Sequence, residues 1–220
     1  MKKLLSTSLF TVAISFLFIA CANQPTTSTI ISDTSMLKAS PFKDGAHYYL
    51  KKGVNFKNYN NIEIPAIPII KSDKKDASLD EALLNSISVY FRKSLLSELN
   101  SVVSKNSKQG TLTIEVSVTS LGKEFKDLKF YQYIPVGLAL TALKRGAGFE
   151  DKNLVIGIAL KVTDTKTKEV LAMVVDTDIK EGIKSDQKIK LSDVTPSLDK
   201  WVKHYKIKLQ ELLDNKHSNL

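Results

Sequence analysis

The feature that most constrains this 220-residue chain is an apolar run that ends at its single cysteine, Cys21. Lys2 and Lys3 precede the run, residues 4–19 are apolar with a few hydroxyls, and Ala20 stands directly before the cysteine. This order is typical of a bacterial export signal that ends in a lipobox, where the cysteine thiol receives a lipid. We therefore predict a signal peptide over residues 1–20 and lipid attachment at Cys21. The fold must then come from the part of the chain that follows.

Other interpretations of this run stay open. Ala20-Cys21-Ala22 also resembles a cleavage site of an ordinary secretory signal, cut after Ala22. The run could instead stay uncleaved as a membrane anchor, although it is shorter than the ~20 residues that a membrane span usually needs. Phe18 stands where a lipobox usually has leucine.

Composition limits the classes of partner. A single cysteine allows no disulfide within the chain, so stability must come from packing. The formal net charge of +9 becomes +7 once Lys2 and Lys3 are removed. Arg92 and Arg145 are the only arginines, whereas arginine is the preferred residue for reading bases and phosphates. We expect no nucleic-acid partner; the lysines indicate a solvated surface or, alternatively, attraction to anionic lipid headgroups.

Two amphipathic helices and four strands are predicted from periodicity. The first helix begins at a capping box formed by Ser78 and Glu81, and the second runs from Ser192 to Leu213. The predicted strands are residues 59–70, 111–121, 154–162 and 169–179. Pro65 and Pro68 place the first strand at an edge or make it irregular. Alternation in the second strand predicts one buried and one wet face, which favours antiparallel pairing.

The order of these elements predicts an α+β fold: a mainly antiparallel sheet of four or more strands with two long helices packed on one face, a two-layer α/β sandwich. We divide the chain into the signal peptide at 1–20, a lipidated N-terminus and flexible tether at 21–45, one domain at 46–213 and a polar tail at 214–220.

Residues 131–146 break the amphipathic pattern, because almost every residue between Pro135 and Gly146 is small or apolar. Such a segment is either buried as a crossover between strands or in contact with lipid or protein. It is our candidate interaction surface, with these residues in it: Ile134, Leu138, Leu140, Lys144 and Arg145.

Motifs for catalysis or cofactor binding are absent from the sequence. There is no glycine-rich phosphate loop and no G-x-S-x-G nucleophile motif. His47, His204 and His217 have no companions at metal-ligand spacing, and His204 is interpreted as a boundary residue of the last helix. Asp164 is expected to bond the backbone of its own turn. We therefore expect no catalytic, cofactor-binding or metal-binding residue, no cofactor, and no enzymatic activity.

The chain also resembles a family of bacterial lipoproteins catalogued as domain of unknown function 3313. The resemblance runs from about Ile30 to Leu213 and rests on six stretches. They are residues 32–38, His47-Tyr48-Tyr49 with Asn58-Tyr59-Asn60, the segment from Ile134 to Arg145, the hairpin around Asp164, and the helix that contains Trp201. The resemblance implies an envelope lipoprotein with an α/β sandwich, and it implies no activity.

Together these observations predict a non-enzymatic module that is held in the cell envelope by Cys21 and binds another envelope protein or assists an assembly. The alternative is a lipid- or small-molecule-binding accessory of an envelope transport system. In a Gram-negative cell, Ala22 after the cysteine favours sorting to the outer membrane, facing the periplasm.

Overall fold

The structure is a computed structural model that describes residues 30–41, 43, 45–71, 79–103, 108–125, 152–184 and 186–214. These residues form seven strands, two long helices and one 3-10 turn at Phe56–Asn58. In chain order the strands and helices are β1 (Lys38–Ala39), β2 (His47–Leu50), β3 (Tyr59–Glu63), β4 (Ile69–Lys71), α1 (Glu81–Val103), β5 (Gly110–Phe125), β6 (Lys152–Asp164), β7 (Val170–Ile183) and α2 (Leu191–Leu213).

The strands form one sheet in the order β1-β2-β7-β6-β5-β3, with β4 also paired to β5. In this spatial order, the neighbouring strands from β1 through β2, β7 and β6 to β5 pair antiparallel. Strands β3 and β4 run parallel to β5. The predicted α+β class and the mainly antiparallel sheet are therefore confirmed.

The two prolines divide the first predicted strand into β3 and β4. Both pieces pair with β5, and the five residues between them, 64–68, form no ladder. Pro68 lies just before β4, and its carbonyl oxygen accepts a hydrogen bond from the backbone N–H of Val118 at 2.9 Å. A proline has no N–H to donate, so the irregular edge follows directly from the sequence.

The prediction of one wet face on residues 111–121 is correct only for the first half of β5. Thr113 and Glu115 are partly exposed, but Ser117 and Thr119 are 0% and 5% exposed. Polar side chains at alternate positions indicate a wet face only when nothing packs over them. Residues 117–122 of β5 are buried on both faces of the strand.

Both helices pack on the same face of the sheet and form the main core with it. In α1 the side chain of Asp80 caps the first turn by accepting the N–H of Leu83 at 2.8 Å. Asp80 lies two residues after the predicted start at Ser78, which is outside the described residues. The stripes predicted for the two helices are confirmed: Ile87, Phe91, Leu95 and Leu99 of α1 and Val194, Leu198, Trp201 and Val202 of α2 are buried.

The opposite face of the sheet carries a smaller apolar cluster. Ile31 is 6% exposed and packs with Ala159, Met173 and Val175, although the sequence division places it in the tether. The tether prediction rested on the polar, low-complexity run of residues 24–29 and on the scarcity of core-forming residues up to about residue 45, and the pair Ile30-Ile31 is an apolar exception within that stretch. At most eight residues, 22–29, therefore separate Cys21 from the first described residue.

The turn between β6 and β7 is held by Asp164, as predicted. Its Oδ1 accepts the backbone N–H groups of Lys166 at 2.8 Å and Thr167 at 2.7 Å, and its Oδ2 accepts the hydroxyl of Tyr59 at 2.9 Å. The hydrogen bond from Thr167 and those from Tyr59 and Lys166 lower the pKa of Asp164. Burial and the bond to Asp164 raise the pKa of Tyr59 to about 12. This pair ties the start of β3 to the β6–β7 turn.

Neither described helix has the length and apolar character that crossing a membrane requires.

Candidate functional site

A cleft of about 640 Å³ lies between the C-terminal half of α2 and the strands β2 and β7. Alternation along β2 and β7 turns Tyr48, Leu50, Ala172 and Val174 toward the helix layer, where the partly buried Leu50, Ala172 and Val174 pack on the main core. The opposing wall is the inner face of α2, which contributes Trp201, Tyr205 and Leu212. The bonds of Trp201 to Asp176 and of Ser197 to Asp178 hold α2 against β7, and the cleft lies between α2 and the neighbouring β2.

The polar centre of the cleft is Asp176 on β7. Its Oδ2 accepts the indole N–H of Trp201 at 2.7 Å, while its Oδ1 accepts the Lys43 ammonium at 2.6 Å and the backbone N–H of Thr177 at 2.7 Å. The side chain of Asp176 is 9% exposed, so this carboxylate is buried but fully paired. Because its lone pairs are occupied by three donors, it is poorly placed to act as a base.

Lys43 connects the loop before β2 to the same centre. Besides Asp176, its ammonium donates to the carbonyl oxygen of Thr177 at 2.8 Å and lies 5.9 Å from the centre of the Trp201 ring. These contacts hold the loop over one end of the cleft. Lys43 thus fixes a wall of the cleft rather than offering an open charge.

The charges at the rim are also paired within the protein. Lys200 bonds Asp178 at 2.8 Å, and Lys208 bonds Glu211 at 2.8 Å. Ser197 donates to the same Asp178 at 2.7 Å. The rim therefore presents compensated ion pairs, which do not favour a strongly charged ligand.

Tyr205 lines the cleft, and its hydroxyl oxygen is buried and has no hydrogen-bond partner among the described residues. Burial, and next the charge of Asp176, raise the pKa of Tyr205 well above its usual range. The hydroxyl therefore keeps its proton and is available as a donor. A buried hydroxyl without a partner is costly, so this group marks a place where an acceptor is missing.

His204, which the sequence analysis interpreted as a boundary residue of the last helix, lines the cleft. Desolvation of its imidazole, and next the charge of Lys208, lower its pKa below the usual value. It is therefore mostly neutral near pH 7. No group of three His, Cys, Asp or Glu side chains within the described ranges is arranged to hold a metal ion.

The site residues singled out by sequence fall outside the described part of the chain. Cys21 precedes it, and Ile134, Leu138, Leu140, Lys144 and Arg145 all lie in the segment 126–151. The cleft itself was missed by sequence reasoning, since its wall residues come from three distant segments. The strand signal that could have pointed to it is Asp176, an acidic residue between Val175 and Thr177 in a buried strand.

Comparison with known families settles the affiliation of this chain. A family model described as "Protein of unknown function (DUF3313)" matches residues 26–205. The chain belongs to the DUF3313 family. The resemblance inferred from the sequence is confirmed, and the cleft lies within the matched residues except at the last turns of α2. No curated protein matches this DUF3313 chain.

Solved structures resemble the DUF3313 chain only distantly. PelC, solved as a dodecamer from Paraburkholderia phytofirmans, has 10% identity and a TM-score of 0.38, with 71% of this chain and 94% of that chain covered. A candidate lipoprotein from Caulobacter crescentus CB15 has 10% identity and a TM-score of 0.33, covering 76% and 100%. Lipoprotein GNA1162 from Neisseria meningitidis has 8% identity and a TM-score of 0.26, covering 66% and 98%. Similarity at this level supports no statement about function.

Proposed function

We propose that this protein is a non-enzymatic binding module, anchored in the cell envelope through lipidated Cys21, that holds an amphipathic small molecule in the cleft between α2 and β2–β7. The observation that carries the proposal is the cleft itself. Its volume of about 640 Å³ lies in the range of about 300–1,000 Å³ that is usual for small-molecule sites. Its wall is apolar and aromatic around few polar groups, as in such sites.

The polar groups favour a ligand without net charge. Asp176 is occupied by three donors, and the lysines at the rim are paired with carboxylates. The hydroxyl of Tyr205 is a donor that lacks an acceptor among the described residues. An aliphatic or acyl chain that carries an ester or amide carbonyl matches this arrangement, because its chain would cover the apolar wall and its carbonyl would accept from the hydroxyl.

Native mass spectrometry of the protein released from its own membranes tests the binding site. We expect wild-type protein to carry a small-molecule adduct and Ala172→Phe to lack it, because a phenyl ring at this position fills the cleft beside Val174. Ala66→Phe introduces the same side chain at an exposed position outside the cleft, and it should retain the adduct. An empty wild-type protein, or an adduct that survives Ala172→Phe, would contradict the proposal.

Anchoring is tested separately by the mass of the mature protein. We expect loss of residues 1–20, a mass increase equal to two or three acyl chains with glycerol, and recovery in the membrane fraction. Cys21→Ser should remove both the cleavage and the added mass. If the mature wild-type chain instead begins after Ala22 without added mass, the ordinary secretory signal is the correct interpretation. This result would leave the cleft experiment unaffected.

A protein partner is the second candidate, and it is favoured by the uninterrupted apolar run of residues 134–143. The described cleft favours a small molecule more directly, so we place that role first. In a Gram-negative cell, the residue after Cys21 favours the outer membrane and the periplasmic side.

A further inference from the structure

One end of the sheet collects lysines from four different segments of the chain. The end of β2, the β6–β7 turn, the start of β5 and the 3-10 turn before β3 all meet there. Contacts that join them include the bond of Thr165 N–H to the Thr111 carbonyl at 3.0 Å and the bond of Tyr59 to Asp164. The lysines at this basic end are Lys51, Lys52, Lys57, Lys108, Lys166 and Lys168.

Most of these lysines are free to meet an outside partner. Lys51 is paired with Glu169, but the salt bridges within the described ranges include none of the other five, all of which are exposed. Asp164 points into its own turn, and Asp214 at the end of α2 bonds Gln210. Six lysines against three carboxylates give the basic end a net charge of about +3.

The opposite end of the sheet is close to neutral. The described segments there hold seven lysines and six carboxylates, several of which are paired with each other. They are Lys71, Lys123, Lys152, Lys180, Lys184, Lys188 and Lys190, with Asp80, Glu81, Glu124, Glu181, Asp186 and Asp193. Examples are Lys180 with Asp193 at 2.9 Å and Lys71 with Glu81 at 3.9 Å. Among the described residues, the net positive charge is therefore larger at the basic end than at the opposite end.

The lysines of the basic end lie along a nearly straight line at the ends of the strands. It crosses the sheet from β2 to β3, which is four strand spacings or roughly 19 Å. Asp164 holds the turn that carries Lys166 and Lys168, and the backbone of Lys168 adopts a left-handed conformation with φ of 63°. Lys51, Lys52 and Lys108 lie within two residues of a strand end, Lys57 lies in the 3-10 turn, and Lys166 and Lys168 lie in the β6–β7 turn.

The first described residues of the domain lie close enough to the basic end for a lipid on Cys21 to reach the same surface. Ile31 packs on Met173, only three residues from the start of β7 and hence about 10 Å from the basic end. Nine peptide units separate Ile30 from Cys21, which span at most about 30 Å. A lipid on Cys21 can therefore reach the membrane while the basic end faces the same surface.

We propose that the basic end docks on anionic lipid headgroups of the membrane that holds the Cys21 lipid, which fixes the orientation of the domain. Lysines are point charges suited to such a surface, and each contributes an attraction of roughly 1 kcal/mol near anionic lipid, or about fivefold in the docking equilibrium. This inference adds an orientation to the proposed anchoring. It is independent of whether the cleft holds a ligand.

Fluorescence energy transfer in reconstituted vesicles tests the orientation. A donor dye is attached to Asn58→Cys at the basic end or to Ser192→Cys at the opposite end, and the acceptor is a dye on the lipid headgroups. Both positions are exposed and uncharged, and the natural Cys21 is occupied by its lipid. The mature protein is compared in phosphatidylcholine vesicles and in vesicles that also contain phosphatidylglycerol.

We expect higher energy transfer from position 58 in the anionic vesicles, no increase from position 192, and loss of the difference at high salt. Glutamine at positions 52, 57, 108, 166 and 168 should abolish the difference, since five lysines together change docking by more than about 1,000-fold. Equal transfer in both vesicle types, or docking of the glutamine variant, would overturn the proposal. If Cys21 carries no lipid, co-sedimentation of the same two proteins with the anionic vesicles decides the question.

Discussion

Trp201→Ala is expected to lower the free energy of unfolding by about 3–5 kcal/mol, the usual cost of truncating a large buried aromatic side chain. Trp201 is 2% exposed, its ring packs on Phe91 with centroids 6.4 Å apart, and its indole N–H donates to Asp176. Alanine removes the packing and leaves the carboxylate without one of its donors. Because Trp201 is the only tryptophan, unfolding in urea is best followed by far-UV circular dichroism.

Trp201→Phe separates the two contributions. Phenylalanine keeps most of the ring but cannot donate to Asp176, so we expect a cost of about 1.5–3 kcal/mol, which is typical of a hydrogen bond to a charged group. Val89→Ala on the exposed face of α1 is the control, with an expected change within about 0.5 kcal/mol. A cost for Trp201→Ala that is no larger than the cost of the control would show that this side chain does not join the helix layer to the sheet.

Local patterns were sufficient to predict the two helices and the β6–β7 turn. The stripe of α1 recurs at helical spacing, and the structure buries its members Ile87, Phe91 and Leu95 against the sheet. Asp164 forms its turn through neighbours two and three residues away. Interactions between residues that are close in sequence can be predicted from the sequence alone, without a structure.

The short strands β1 and β2 at one side of the sheet could not be predicted in the same way. β1 has two residues and β2 has four, too few to display a period. Their existence depends on β7, which provides the ladder for β2, and on β2, which provides it for β1. The burial of Ile31 is likewise a consequence of tertiary packing, since the described residues next to it, 30 and 32–37, form no strand or helix.

The cleft could not be predicted from the sequence because the alternation of polar and apolar residues along β7 suggests the wrong buried face. Ala172, Val174 and Asp176 share one face, and an acidic residue in such a series normally indicates the solvent side. The apolar Met173 and Val175 on the other face would then be taken as the core side. In the structure both faces are covered, and Asp176 faces the helices because Trp201 and Lys43, 25 and 133 residues away, satisfy its carboxylate.

Asp176→Ala is expected to lower the free energy of unfolding by about 2–3 kcal/mol. The main cause is the buried indole N–H of Trp201, which loses its acceptor, because a buried donor without a partner costs about 1–3 kcal/mol. The loss of the Lys43 pair adds little, since the Lys43 side chain is 34% exposed and its ammonium can return to water. Urea unfolding of the full chain measures the change.

A double-mutant cycle tells whether the hydrogen bond to Trp201 is the cause. In the Trp201→Phe background the donor is already gone, so Asp176→Ala should cost less by 1 kcal/mol or more, on the order of the coupling expected for residues in direct contact. Lys43→Met alone should cost less than about 1 kcal/mol. The opposite result is an equal cost of Asp176→Ala in both backgrounds together with strong destabilisation by Lys43→Met. It would show that the ion pair between Lys43 and Asp176 stabilises the cleft and that the hydrogen bond between Trp201 and Asp176 does not.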